Sequence, residues 1–175
     1  MTEQDQAITG VEVFFDSNDI IVSKTNTQGH LTYANDVFLD IAGYTEAEVL
    51  GKPHNIIRHP HMPRCIFKAL WETIKSGNEI FAYVMNRTKS GDHYWVLAHV
   101  TPSFNTSGDI VGFHSNRRVP NRDSLEHTII PLYQKLLQIE TSKGRKEGLD
   151  ASCAHLNSLF TEQDISINEF FLSLA

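Results

Sequence analysis

The sequence predicts an α+β domain: one five-stranded antiparallel sheet, helices over one of its faces, and a helical appendage after it. Two observations carry this. Short β-rich runs, bounded by Gly, Asn, Asp and Ser, lie on both sides of a central helical stretch. Their order is strand, strand, short helices, longer helix, three strands, without the strand–helix alternation that builds a parallel sheet. A third observation bounds the domain: beyond Pro120 the pattern changes to a heptad-like apolar stripe.

Taken in order, residues 1–18 form an N-terminal extension without a clear period, in which Val11, Val13 and Phe15 alternate briefly before a short docking element. The run from Ile20 to Thr25 is a strand, Asn26-Thr27-Gln28-Gly29 turns the chain, and His30 to Tyr33 returns as its hairpin partner. Helical patterning starts at Ala34-Asn35-Asp36, with Val37, Phe38 and Ile41 on one face and Gly43 at the close. Thr45 and Glu48 have the spacing of a capping box, and Leu50-Gly51-Lys52-Pro53 ends that turn. From Pro63, the residues Ile66, Phe67, Leu70, Trp71 and Ile74 make one broad apolar helix face, terminated at Ser76-Gly77. Three strands follow, Glu79 to Arg87, His93 to Pro102 and Asp109 to Arg118, joined by turns at Ser90-Gly91-Asp92 and Asn105 to Gly108.

In the C-terminal segment, 120–175, Leu125, Ile129, Leu132, Leu136 and Ile139 form the stripe, interrupted by Pro131, so the helix starts near either Asn121 or Pro131. Thr141 to Gly148 reads as a charged linker, Ala154 to Phe160 as a short helix, and Ser166 with Glu169 as a capping box before Phe170, Phe171 and Leu174. The stripe either packs back onto the sheet or meets a second chain.

Composition narrows the function. A net charge of −6 and a pI of about 5.8 give no basic field for nucleic acid. No apolar run approaches the roughly 18–20 residues that span a bilayer, and the N-terminus has no signal region, so the expectation is a cytoplasmic protein. Cys65 and Cys153 have no metal-ligand spacing and read as free thiols. No nucleophile elbow, P-loop or paired catalytic constellation is present, which argues against an enzyme. The segment from Asn55 to Pro63, with Arg58, His59, Pro60 and His61, is rigid and polar just before a helix start, a place where anions are held.

Several segments resemble the flavin-binding PAS domains of bacterial aerotaxis and energy-taxis receptors: Tyr33-Ala34-Asn35-Asp36, Gly43-Tyr44-Thr45, Gly51-Lys52-Pro53-His54-Asn55, Arg58-His59-Pro60, Met62-Pro63, Asn86-Arg87 and Gly91-Asp92-His93-Tyr94-Trp95-Val96. The likeness covers roughly Ile20 to Arg118 and places the sensory domain at 19–119. It implies a PAS fold, non-covalent FAD, and a redox sensor that signals to a separate membrane chemotaxis-type receptor or other signalling protein, with a homodimer as the expected assembly. One departure stands out: such motifs commonly carry an acidic residue where this chain has His61.

A flavin needs amide-like partners at its pyrimidine edge, an apolar or aromatic wall, and cations for its phosphates. Asn86 on its strand is the amide candidate, with Asn35 beside it unless that residue simply caps a helix. Arg58 and His59 are the phosphate candidates, and His54 and His61 flank them. Trp71 and Trp95 are wall candidates, although Trp71 reads more readily as a core helix residue, and either Tyr94 or Trp95 must face the inner side of the sheet. The alternatives are haem b, with an axial ligand among His59, His61 and His93, and a cofactor-free interaction module. The spacing of His54, His59 and His61 fits no structural zinc pattern. A cysteine for light-driven flavin adduct formation is missing near His54 to Ile57.

Overall fold

A computed structural model of the chain describes residues 8–175. The N-terminal part of the predicted extension, residues 1–7, lies outside the described residues. The sheet has five antiparallel strands, β1 (Ile21–Thr25), β2 (Leu31–Ala34), β3 (Ile80–Arg87), β4 (His93–Phe104) and β5 (Ile110–Arg118), in the order β2-β1-β5-β4-β3. Between β2 and β3 lie α1 (Asp36–Ala42), α2 (Glu46–Val49), a 3₁₀ turn (His54–Ile57) and α3 (Arg64–Lys75). The core sits between these helices and the inner sheet face, where Ile21, Phe38, Ile66, Ile74 and Val96 are buried.

The turns form for the reasons the residues suggest. Gly29 takes φ +84 in the first hairpin, and a Cβ there would lie 2.9 Å from the Trp71 ring, so this glycine permits both the turn and the seating of the indole. Asn35 caps α1: its Oδ1 accepts from the Phe38 N–H at 3.0 Å. The same oxygen accepts from the Val22 N–H at 2.9 Å, and its Nδ2 donates to the Ile20 carbonyl at 2.8 Å, which ties the helix start to β1.

After β5 the helix is continuous through Pro131. It runs as α4 (Arg122–Ser124), a π turn (Leu125–Ile129) and α5 (Ile130–Thr141). Proline has no N–H and its ring crowds the carbonyl one turn back. Widening the preceding turn, where the Ile130 N–H donates to the Leu125 carbonyl, accommodates it without a break. The helix therefore starts at the Asn121 cap, not at Pro131. The linker is shorter than the expected Thr141 to Gly148, because α6 (Arg145–Gln163) begins three residues after Ser142; α7 (Ile167–Ser173) follows with the capping box at Ser166.

The apolar stripe packs back onto the chain's own sheet: Leu125, Ile129 and Leu136 are buried. The reason is the edge strand β3, whose backbone groups need partners. The Tyr133 hydroxyl donates to the Tyr83 carbonyl at 2.6 Å. Asn168 on α7 accepts from the Phe81 N–H at 2.9 Å and donates to the Glu79 carbonyl at 3.0 Å. At the other end, residues Thr9 to Val13 pair with the start of β4, where the Val13 N–H donates to the His93 carbonyl at 2.7 Å.

Glu140, at the end of α5, locks this arrangement. Its carboxylate accepts from the Arg64 and Cys65 N–H groups at the start of α3 (3.0 and 2.9 Å) and from the Ser152 hydroxyl of α6 (2.9 Å). Arg64 Nε adds an ion pair at 3.1 Å. Gly148 lets α6 approach α5 closely, since a Cβ there would fall 2.2 Å from the Glu140 carbonyl oxygen.

Candidate functional site

A cavity of about 580 Å³ opens between the inner sheet face and the helices, within the range of small-molecule and cofactor sites. Val84, Ala98, Val100, Leu70 and Ile74 give it apolar walls, and Trp71 meets Phe113 edge to face, with ring centroids 5.6 Å apart. The polar groups are few and concentrated on the sheet. Thr25 Oγ1, Ser115 Oγ and Arg117 Nη1 are buried without a hydrogen-bond partner among the described residues, the Asn86 amide is buried against the Tyr94 hydroxyl, and all four residues line the cavity. Buried polar atoms are paired in nearly all proteins, so three orphans on residues that line one cavity favour a polar ligand as their missing partner.

Arg117 is the strongest of these features. It is only 3% exposed, and its Nη2 donates to Ser23 Oγ at 2.8 Å and to His54 Nε2 at 2.6 Å. Neither partner is an anion. Burial lowers its pKa to about 10, with the Tyr94 hydroxyl opposing that shift, so it remains a cation at neutral pH. A buried charge balanced only by neutral groups and the Phe38 ring, 5.7 Å away, favours a carbonyl-rich or anionic ligand in the cavity. His54 is held neutral: burial first, then the Arg117 charge, lowers its pKa to about 3. With Nε2 accepting from Arg117, the proton resides on Nδ1.

Of the residues selected from sequence, His54, Arg58, Trp71 and Asn86 line the cavity. Arg58 lies over the Phe67 ring at 4.3 Å, and its backbone bridges Asn86 on β3. Asn35, His59, His61 and Trp95 do not line it. The Asn35 amide is consumed by its bonds to Val22, Phe38 and Ile20. Trp95 lies on the opposite sheet face, with its ring 6.0 Å from Tyr133; Tyr94 is the inward member of the pair, in phase with Ala98 and Val100. His59 is buried beside His61 and His93, with ring centroids 5.1 and 5.7 Å away, and its Nδ1 accepts from the His61 N–H at 3.2 Å. Burial, followed by the neighbouring His61, His93 and Arg87, lowers its pKa to about 4.

The anion expected at the helix start is also supplied from within. The first N–H groups of α3 are taken by Glu140, so the loop offers a ligand the Arg58 side chain, not the helix terminus. The haem alternative finds no support: among the described residues His54 is the only histidine lining the cavity, and its Nε2 faces a guanidinium. Cys65 is buried against α5 and α6 outside the lining, and burial pushes its thiol up to about 12.

Sequence reasoning missed Arg117, Ser115, Ser23 and Thr25. A signal existed: Phe113, Ser115 and Arg117 alternate on β5 in phase with the core face, so polar residues stand where packing calls for apolar ones.

Comparison with known proteins agrees with this geometry. Residues 31–117 match the PAS fold family. Over 129 residues, 74% of this chain, the sequence is 40% identical to the aerotaxis receptor of Escherichia coli (strain K12), covering 25% of that protein. It is 25% identical over 57% of this chain to the nitrogen fixation regulatory protein of Klebsiella pneumoniae and 28% identical over 56% to a rice phototropin-2 (20% and 11% of those proteins). The chain thus spans a quarter or less of these relatives. Among solved structures, a light-oxygen-voltage domain studied with a flavin analogue superposes over 66% of this chain and 87% of its own, with TM-score 0.55 and 19% identity. The PAS domain of the fruit-fly ELK potassium channel superposes over 57% of this chain and 85% of its own, with TM-score 0.51 and 22% identity. The five-stranded sheet in the order β2-β1-β5-β4-β3, the helices over its inner face and the match at 31–117 together make this chain a member of the PAS family.

Proposed function

We propose that this PAS protein is a cytoplasmic redox sensor that holds FAD non-covalently in the sheet-side cavity. It would relay the flavin's redox state to a chemotaxis-type membrane receptor or another signalling partner, acting as a homodimer. The observation that carries the reading is the set of buried polar side chains Thr25, Asn86, Ser115 and Arg117 around an apolar slot, three of them with an unpartnered atom. An isoalloxazine ring presents two carbonyls and an imide N–H along one edge, and an amide, a hydroxyl and a guanidinium are the groups that pair with such an edge. Bound flavin supplies a redox couple whose reduction changes the ring's charge and protonation. The chain's part is to orient that edge, exclude water with Trp71 and Phe113, and oppose negative charge with Arg117.

The relay follows from what the site touches. Asn86 and Val84 lie on β3, and the other face and edge of β3 carry Tyr133 of α5 and Asn168 of α7. A change in hydrogen bonding at Asn86 biases the strand on which the C-terminal helices dock, which is the two-state element that signalling requires. The test is retention of flavin through purification: wild type keeps it, and Asn86→Ala and Arg58→Ala lose most of it. Variants that retain flavin like wild type would move the site elsewhere.

A further inference from the structure

We infer that the mouth of the cavity is a phosphate site whose outer wall belongs to α6, so that a phosphorylated ligand bridges the PAS domain and the C-terminal helices. The inference deepens the flavin reading and rests on it: it names the part of the ligand that reaches the surface and the residues that meet it. Besides the buried Arg117, four cations line the same cavity, Arg58 from the loop, Arg64 and Lys68 from α3, and Arg145 from α6. They gather there although the chain as a whole carries a net charge of −6. Arg64 is paired with Glu140, and Lys68 with Glu72, while Asp150 acts on Lys68 from farther away. Arg58 and Arg145 make no salt bridge among the described residues, and Glu140 acts on Arg58 from farther away.

Placement makes the cluster part of one site. Arg58 and Asn86 bridge through their backbones, so the cation and the buried amide are neighbours along one wall. Arg145 and Leu149 are four residues apart on one face of α6, and both line the cavity. That face is held by the Ser152 hydroxyl on Glu140 and by the close approach at Gly148. A ligand with its polar ring edge at Asn86 and Arg117 and a phosphate at the mouth would therefore contact the sheet, α3 and α6 at once. Its binding would clamp α6 in place.

The test titrates the full-chain apoprotein with FAD, FMN and riboflavin, read by quenching of flavin fluorescence. The phosphorylated flavins are expected to bind at least about tenfold more tightly than riboflavin, and added salt should shrink that margin. Arg145→Ala should weaken the phosphorylated flavins by about five- to tenfold and leave riboflavin unchanged, and Arg145→Lys should recover part of the loss. Arg145 is exposed, so the variant folds. Riboflavin binding as tightly as FAD and FMN would overturn the phosphate site while leaving the flavin reading intact. Equal weakening of all three flavins by Arg145→Ala would make Arg145 a packing residue and overturn the inference. No effect of that variant would also overturn it. Failure of all three flavins to bind would overturn both readings.

Discussion

Glu140→Ala should be the most damaging single change outside the hydrophobic core, because one carboxylate holds three helices. Removing it leaves the Arg64 and Cys65 N–H groups without an acceptor, the Ser152 hydroxyl with the Leu149 carbonyl alone, and Arg64 without its ion pair. Breaking a buried, hydrogen-bonded charge in this way costs about 3–5 kcal/mol. With a urea slope of about 2 kcal/mol per molar, the unfolding midpoint falls by about 2 M. The melting temperature falls by about 10 °C for a chain of this size. Glu140→Gln, which keeps one good acceptor, should fall between the two proteins. pH gives an independent signature. Burial pushes the Glu140 carboxyl up, but the bonds from the Arg64 and Cys65 N–H groups, Ser152 and the Arg64 side chain outweigh it and hold the pKa below 4.5. The folded state thus favours the ionised form. Its contribution is complete above the ordinary carboxylate range and is lost as the pH falls through and below 4.5. Urea melts followed by circular dichroism at neutral and acid pH measure both effects. A loss under about 1 kcal/mol, or an undiminished loss at low pH, would refute the assignment of Glu140 as the clamp.

Arg117→Met should separate ligand binding from stability: the ligand-free protein becomes equally or more stable, because a buried cation with only neutral partners is removed, while flavin binding is lost. Denaturant melts and flavin titration of the same variant measure the two. Gly29→Ala should weaken flavin binding and cost about 1–2 kcal/mol, since φ is +84 and the new Cβ meets the Trp71 ring at 2.9 Å; unaltered Trp fluorescence and binding would count against the aromatic wall. His54 and His59 are kept neutral in the fold, with pKa values lowered from 6.5 to about 3 and about 4. The unfolded chain then binds more protons between those values and 6.5, so stability should fall as the pH drops through that window, and His59→Asn should flatten the slope.

Much of the fold was legible because its determinants are local. Gly29, the Asn35 cap and the capping boxes at Thr45 and Ser166 announce themselves within a few residues. The site was half legible: Asn86, Arg58, His54 and Trp71 carried a motif-level signal, and each lines the cavity. What escaped was long-range. Alternation fixes that Tyr94 and Trp95 face opposite ways, yet not which way, because that depends on where α5 and the N-terminal segment pack. Arg117 reads as an exposed strand-end charge until Ser23 and His54 close over it. Glu140 reads as a surface helix residue, because its partners Arg64 and Cys65 are 76 and 75 residues away.

The most direct test of the central claim is the visible absorption spectrum of the purified wild-type protein, expressed with ample flavin, before and after dithionite. The expected result is an oxidised flavin spectrum that bleaches on reduction and returns in air. A colourless protein that also fails to take up added FAD, or a Soret band in place of the flavin bands, would contradict it.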